Sequence, residues 1–290
     1  MDKLKIGLPS GSLQEATLDL FNRAGFTISA GSRSYFPLID DDDVECTLVR
    51  AQEIARYVEE GVLDLGITGK DWVTESDAKV VEVGELIYGK KGLKPVRIVV
   101  AVPKDSKIFS VKDLEGKRIA TEFVNITRAY LKKNKVNAEV EFSWGATEAK
   151  APKLVDVIVE LTETGKSLEA NNLRIIDTIM ESTTRVIANK KSLENKKKHQ
   201  KIMDIVILLK GALAAEGKVG LKMNIHENKL DEAISIVSAL RKPTVSPLSE
   251  TGWLAIEVIL DEKRVREIIP LLKVLGAEGI VEYPLNKIVY

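Results

Sequence analysis

Short β-branched runs alternate with helix-period stretches from the first residues of this chain: KIGLP, SLQEATLDLFNRAGF, ECTLVR, QEIARYVEEG, then DLGITG. A strand that hands over to a helix and returns as a strand needs a crossover, and crossovers build mainly parallel sheets with helices on their faces. Ser12 followed by Glu15 has the spacing of a capping box and sets a helix start just after the turn Pro9-Ser10-Gly11. Helix N-termini of such folds face the carboxyl edge of the sheet, where ligands bind.

A stretch rich in Gly, Lys and Pro, Tyr88 to Pro95, interrupts the alternation, and a second set follows: VRIVVAVP, KRIATE, a helix around Ile126 to Lys135, EVEFSW, a helix around Thr147 to Leu154, and DVIVEL. The chain then returns through extended segments around Leu173 to Ala188. Two α/β lobes with strands carrying the chain back imply a cleft between them, and such clefts are preferred ligand sites; the segments VRIVVAVPKDS and VKDLEGKRIA resemble solute-binding proteins, which implies a two-lobed, periplasmic-binding-protein-like region. From Gly217 the pattern becomes β-α-β-β-α-β, a ferredoxin-like unit. The expected division is 1–90 with 180–205 as lobe I, 91–179 as lobe II, and 206–290 as the third unit.

Lys plus Arg and Asp plus Glu both number 43, so no net charge draws the chain to nucleic acid or to a membrane. The basic segment NKKSLENKKKHQK has no interleaved aromatics and reads as a solvated helix face. Cys46, the single cysteine, has no disulfide partner and sits in an apolar-alternating run, which predicts a buried thiol. His199 and His226 lack metal-ligand spacing, and the run Asp40 to Asp43 lacks the pattern of a cation loop. With no apolar leader and no run long enough to span a bilayer, a cytoplasmic protein is expected.

The stretch with most chemistry is VIVELTETGKSLEANN. Gly165-Lys166-Ser167 matches the end of a nucleotide-triphosphate loop, but Glu160 stands where that loop has its first glycine. A ligand carrying both hydroxyls and phosphate answers better: carboxylates accept from a sugar, while Thr162, Thr164, Ser167 and loop N–H groups donate to a phosphate. Asp156 and Glu160 are four apart on a strand and share a face, with Asp156 alternatively at the strand's start. Arg50 ends an apolar strand, which suits recognition of an anion, and Arg33 offers a second guanidinium or a surface residue. Ser10, Gly11 and Ser12 present donors at a helix start, and Gly69 with Asp71 forms a sharp turn that is either ligand-binding or an N-cap.

The segments LPSGSL, TLVRAQEIARYV, DLGITGKDW, SWGATE and DVIVELTETGKSLEANNL resemble successive motifs of the ATP phosphoribosyltransferase family, and the tail from PTVSPL onward resembles the regulatory, ACT-like domain of its long form. The resemblance implies transfer of 5-phosphoribosyl from 5-phosphoribosyl 1-diphosphate to N1 of ATP, with magnesium, as the first step of histidine biosynthesis. It further implies that Glu160 and Asp156 meet the ribose, Glu163, Thr164, Gly165, Lys166 and Ser167 with Thr162 and Arg33 meet the phosphates, and Arg50 meets the leaving group. Ser10, Gly11, Ser12, Gly69 and Asp71 fall to ATP. Inhibition by histidine through Asn224, Thr244 and Gly279, and assembly into dimers and hexamers, are implied as well. A rival from another class is a two-lobed protein that captures a small anion by hinge closure without chemistry, since VRIVVAVPKDS and VKDLEGKRIA resemble solute-binding proteins.

Overall fold

A computed structural model describes residues 3–29, 31, 34–88, 95–237 and 242–290. Two units emerge: the chain up to Asn22 with Phe26–Val206, and Arg23–Gly25 with Ile207–Tyr290. In the first unit the order is β1 (Leu4–Ser10), α1 (Gln14–Ala24), β2 (Ile28–Ser29), β3 (Leu38–Ile39), β4 (Val44–Arg50), α2 (Ala51–Glu59), β5 (Leu65–Gly69), α3 (Lys70–Ser76) and β6 (Val81–Leu86). It continues with β7 (Val96–Pro103), β8 (Arg118–Thr121), α4 (Val124–Asn134), β9 (Glu139–Phe142), β10 (Val157–Thr162), α5 (Lys166–Ala170), β11 (Leu173–Ser182), β12 (Thr184–Ala188), α6 (Lys190–Glu194) and α7 (Lys196–Ala214), in which the division between units falls.

These strands make two five-stranded sheets, β4-β1-β5-β12-β6 and β11-β7-β10-β8-β9. Only part of each is parallel. β1 runs parallel to β4 and β5, and β8 to β9 and β10, whereas β12 is antiparallel to both its neighbours and β7 to both of its own. The expected mainly parallel sheets are therefore mixed, because the crossing strands β7 and β12 each enter a sheet from the opposite lobe. β11 stays in the second sheet to Ser182, and the return to the first comes with Thr184, a few residues later than the expected boundary at 180. The interlobe segment at residues 89–94 lies outside the described residues.

Burial explains the strands' near-continuous apolar runs. Ile6, Leu8, Leu65 and Ile67 of the first sheet and Ile98 to Val102 of the second are essentially inaccessible, each large side chain contributing about 1.5–3 kcal/mol of burial. Helix α2 lies close on its sheet because Gly66 leaves room: a Cβ there would come within 2.4 Å of Ile54 and 2.9 Å of Val58. The helix expected around Thr147 to Leu154 is a single 3-10 turn, Thr147–Ala149, followed by turns. Pro152 lacks the N–H a continuing helix needs and its ring crowds the preceding turn.

The second unit holds β13 (Lys218–His226), α8 (Leu230–Ile236), β14 (Thr244–Pro247), β15 (Trp253–Asp261), α9 (Glu262–Leu275) and β16 (Glu278–Pro284) in an antiparallel sheet of order β14-β15-β13-β16. That is the ferredoxin-like arrangement, with β15 set between the two parallel strands of a split β-α-β unit. Alternate residues Val219, Leu221, Met223 and Ile225 bury against α8 and α9. Tyr283 lies across Gly220, where a Cβ would meet its ring at 2.2 Å, and its hydroxyl donates to Glu257.

Candidate active site

A cavity of about 400 Å³ opens between the two sheets of the first unit, at the ends of β1, β4, β5, β8 and β10. One wall carries Ser10, Ser12, Arg50, Gln52, Gly69, Asp71 and Trp72; the other carries Glu122, Phe123, Glu160, Thr162 and Glu163. Arg50 occupies the N-cap position of α2 without a side-chain cap bond, and its guanidinium lies 3.3 Å from where a Cβ on Gly11 would stand. The first loop and Arg50 thus meet, as the strand-end argument requires. α1 begins at Gln14, so its N-cap falls on Leu13; Ser12 is left on the turn facing the cavity, and the capping box is not what starts the helix.

At the end of β5, Gly69 is required by Asp71, whose Oδ1 would lie 1.8 Å from any Cβ at that position. Asp71 is only 3 % exposed. It accepts from Ser182 Oγ at 2.8 Å, while its own N–H donates to the same oxygen at 3.0 Å. Burial pushes its carboxyl above the usual range, opposed by Ser182 and by the backbone N–H groups of the first turn of α3. The N-cap itself is Gly69, so Asp71 stabilises the turn from inside the helix and ties it to the strand β11 that crosses from the other lobe.

Across the cavity, Glu160 is half-buried near the end of β10 and accepts from the N–H of Leu161 at 3.0 Å. Burial raises its carboxyl above the ordinary range; the Leu161 N–H and the Thr147 hydroxyl pull it back, and the charges of Glu148 and Glu122 push it up further. The following turn is built by Thr162, whose Oγ1 accepts from the N–H of Gly165 at 2.8 Å. Gly165 has φ 79° and starts α5 with Lys166 and Ser167 in its first turn. Ser167 Oγ donates to Glu148 Oε1 at 2.6 Å, and Thr164 Oγ1 lies 3.5 Å from the N–H of Lys166. Glu163 lines the cavity.

Asp156 is not brought to this group. It stands before β10, where its Oδ2 accepts from the N–H of Arg118 at 3.0 Å; four residues of strand put it about 13 Å from Glu160. Asp156 thus lies at the strand's start and does not line the cavity, away from the expected contact with the ribose. Arg33 lies outside the described residues. In the second unit Asn224 and Gly279 adjoin, Asn224 Nδ2 being 3.4 Å from where a Cβ on Gly279 would stand. Thr244 is on β14, separated from β13 by β15, so it does not converge with them within one chain.

Sequence reading passed over Gln52, Trp72, Glu122, Phe123, Glu148 and Ser182. Glu122 and Phe123 follow β8 directly, so the strand-end rule applied to KRIATE would have found them; Ser182 and Glu148 act through tertiary contacts that no local pattern announces. Among the described residues no group of three His, Cys, Asp or Glu side chains is placed to hold a metal ion. Cys46 is buried and its thiol is pushed up to about 12 by burial, with Glu45 and Asp41 adding to the shift. Among the same residues, no helix is long and apolar enough to cross a membrane.

A family model described as ATP phosphoribosyltransferase matches residues 50–211, and a second, described as the HisG C-terminal domain, matches 215–287. The chain is 60 % identical over 286 residues to an ATP phosphoribosyltransferase of Chlorobaculum parvum, covering 99 % of this chain and 97 % of that protein. It is 58 % identical to the one from Solibacter usitatus, with 99 % of each covered. Among solved structures it is similar to a chain of the ATP phosphoribosyl transferase (HisG:HisZ) complex from Thermotoga maritima, at 28 % identity and a TM-score of 0.61, covering 71 % of this chain and 98 % of that one.

Proposed function

The chain belongs to the ATP phosphoribosyltransferase family, and on that footing we propose that its interlobe cavity is where 5-phosphoribosyl passes from 5-phosphoribosyl 1-diphosphate to N1 of ATP, releasing diphosphate, in the first step of histidine biosynthesis. The observation that carries the placement is the half-buried carboxylate of Glu160 on the cavity wall, followed directly by the turn that Thr162 and Gly165 build at the start of α5. Glu160 accepts from the ribose hydroxyls and faces the positive charge that grows at C1 as the diphosphate departs. The N–H groups and hydroxyls from Glu163 to Ser167 hold the 5-phosphate, which competes with Glu148 for the Ser167 hydroxyl.

On the other wall Ser10, Gly11 and Ser12 with the Gly69 turn receive ATP, and Arg50 meets the diphosphate. The attacking ring nitrogen carries its own lone pair, so the cavity has only to hold it in line and exclude water. Magnesium fits this donor set as an ion held by one or two cleft carboxylates, from among Glu122, Glu160 and Glu163, with substrate oxygens and water completing its shell. When bound it neutralises diphosphate charge.

Regulation by histidine is the reading we attach to the second unit, supported by its separate core and by the adjoining Asn224 and Gly279. Assembly into dimers and hexamers, and a place in the cytoplasm, belong to the same reading. The catalytic placement is tested by following the ultraviolet absorbance of the product with both substrates present, and by repeating single turnovers with Arg50→Ala. That variant should slow the chemical step about 100-fold, as loss of a donor to developing charge does, with ATP affinity little changed. An unaltered single-turnover rate would remove Arg50 from the leaving-group site.

A further inference from the structure

The N-terminus of α4, in the second lobe, has no cap from its own segment: its N-cap residue is Phe123, which makes no side-chain cap bond. The donors left over at such an end need partners. They find one in the other lobe. Glu75, on α3, accepts from the N–H of Asn125 at 2.8 Å through Oε1 and from the N–H of Ile126 at 2.9 Å through Oε2. Asn125 replies with its side chain, Nδ2 donating to the backbone carbonyl of Glu75 at 2.9 Å.

Two further contacts cross at the same place. The ring of Trp72, one turn before Glu75, lies 4.6 Å from that of Phe123 and packs into the core of the second lobe. Burial raises the Glu122 carboxyl on one wall, and Gln52 from the opposite wall pulls it back. Trp72, Phe123, Gln52 and Glu122 all line the cavity, so the spacing of its two walls is fixed where these residues meet.

We propose that Glu75 is a positioning residue, a helix cap supplied by one lobe to the other that holds the ATP-side wall and the phosphoribosyl-side wall at reacting separation. Glu75 does not line the cavity and touches neither reacting group. It acts through α3, which carries Asp71 and Trp72, and through α4, whose first residues follow Glu122 and Phe123 directly. The burial that accompanies docking pushes the Glu75 carboxyl up, while the N–H groups of Asn125, Ile126 and Val124 pull it down. The inference rests on the assignment of one substrate to each wall.

The test pairs a distance with a rate. Spin labels on Glu60→Cys and Lys133→Cys, exposed positions of the two lobes, report the interlobe distance without substrate; Cys46, being buried, does not compete for label. Glu75→Ala should broaden the distance distribution and slow single-turnover phosphoribosyl transfer about 10- to 100-fold, the scale of a misplacement near 1 Å, while the Kd of 5-phosphoribosyl 1-diphosphate changes less than about 3-fold, because its turn lies wholly within the second lobe. Glu75→Gln, which keeps acceptor oxygen but not charge, should recover part of the rate. Asn125→Ala, which removes the reply from the other lobe, should shift both readouts in the same direction by a smaller factor.

A distance distribution identical to the parent's overturns the proposal, and so does a broadened distribution with an unchanged rate. A fall in rate matched by an equal fall in substrate affinity and in melting temperature also overturns it, as general loosening. Because distances are read without substrate, an error in the substrate assignment would show itself separately, as normal 5-phosphoribosyl 1-diphosphate binding after the 162–167 turn is disrupted.

Discussion

Gly165 and Glu160 sit five residues apart and answer to different physics. Gly165 has space around it, the nearest atom to an added Cβ being Ile175 Cδ1 at 3.6 Å, so its constraint is the backbone angle of 79° rather than crowding. Gly165→Val should therefore leave the protein folded and abolish 5-phosphoribosyl 1-diphosphate binding in a calorimetric titration; retained affinity would clear the turn of that role. Glu160 is constrained by charge. Its carboxyl is held above the ordinary range by burial first, and the neighbouring glutamates add to that shift. Between the ordinary carboxylate range and its raised value the folded protein keeps a proton that the unfolded chain has lost, so its contribution to stability is full below that window and is lost as pH rises through it. If the ionised form faces the cationic ribose, kcat/KM must rise across the same window. Activity and stability should thus move in opposite directions there, and Glu160→Gln should suppress both trends. Parallel pH profiles for parent and variant would show that this carboxylate is not the group being titrated.

At the scale of elements, the joint between α2 and α6 is a case the sequence alone does not disclose. Asn189 Oδ1 accepts from the N–H groups of Lys191 and Ser192 at the start of α6, while its Nδ2 donates to Val58 O at 2.7 Å and Glu59 O at 3.2 Å, at the end of α2. Removing the α6 cap together with the side-chain donor to the end of α2 costs about 1–2 kcal/mol, so Asn189→Ala should lower denaturant stability by roughly that amount while leaving the transfer rate alone. Elements with a strong local signature were legible beforehand: the apolar strands β1, β4, β5 and β13, the amphipathic α2, and the Thr162 to Ser167 turn. Strand direction was not, because the reversal of β7 and β12 depends on which lobe the chain arrives from, and no local pattern carries that. Asp156 shows the same limit within a site. Its spacing of four from Glu160 is silent about where the strand begins, and Asp156 falls just before β10. Glu75, Ser182 and Glu148 take their roles from partners 51, 111 and 19 residues away in sequence.

For the molecule as a whole, the two units raise the question of what the first can do alone. A variant ending at Gly217, after α7 closes, should remain folded and lose its response to added histidine, with activity followed across a histidine titration. A folded truncation still inhibited by histidine would move the inhibitor site out of the second unit. The path of the chain through the first unit has a different consequence, for synthesis. β12 lies between β5 and β6, yet it is made after the whole of the second lobe. As the polypeptide leaves the ribosome, residues 96–182 form a continuous stretch whose sheet can close on itself. The earlier sheet must wait, with β5 and β6 each showing an unsatisfied strand edge, until residue 188 has emerged. The lobe translated first is therefore the lobe finished last, and during that interval its exposed edges are where a chaperone would be needed.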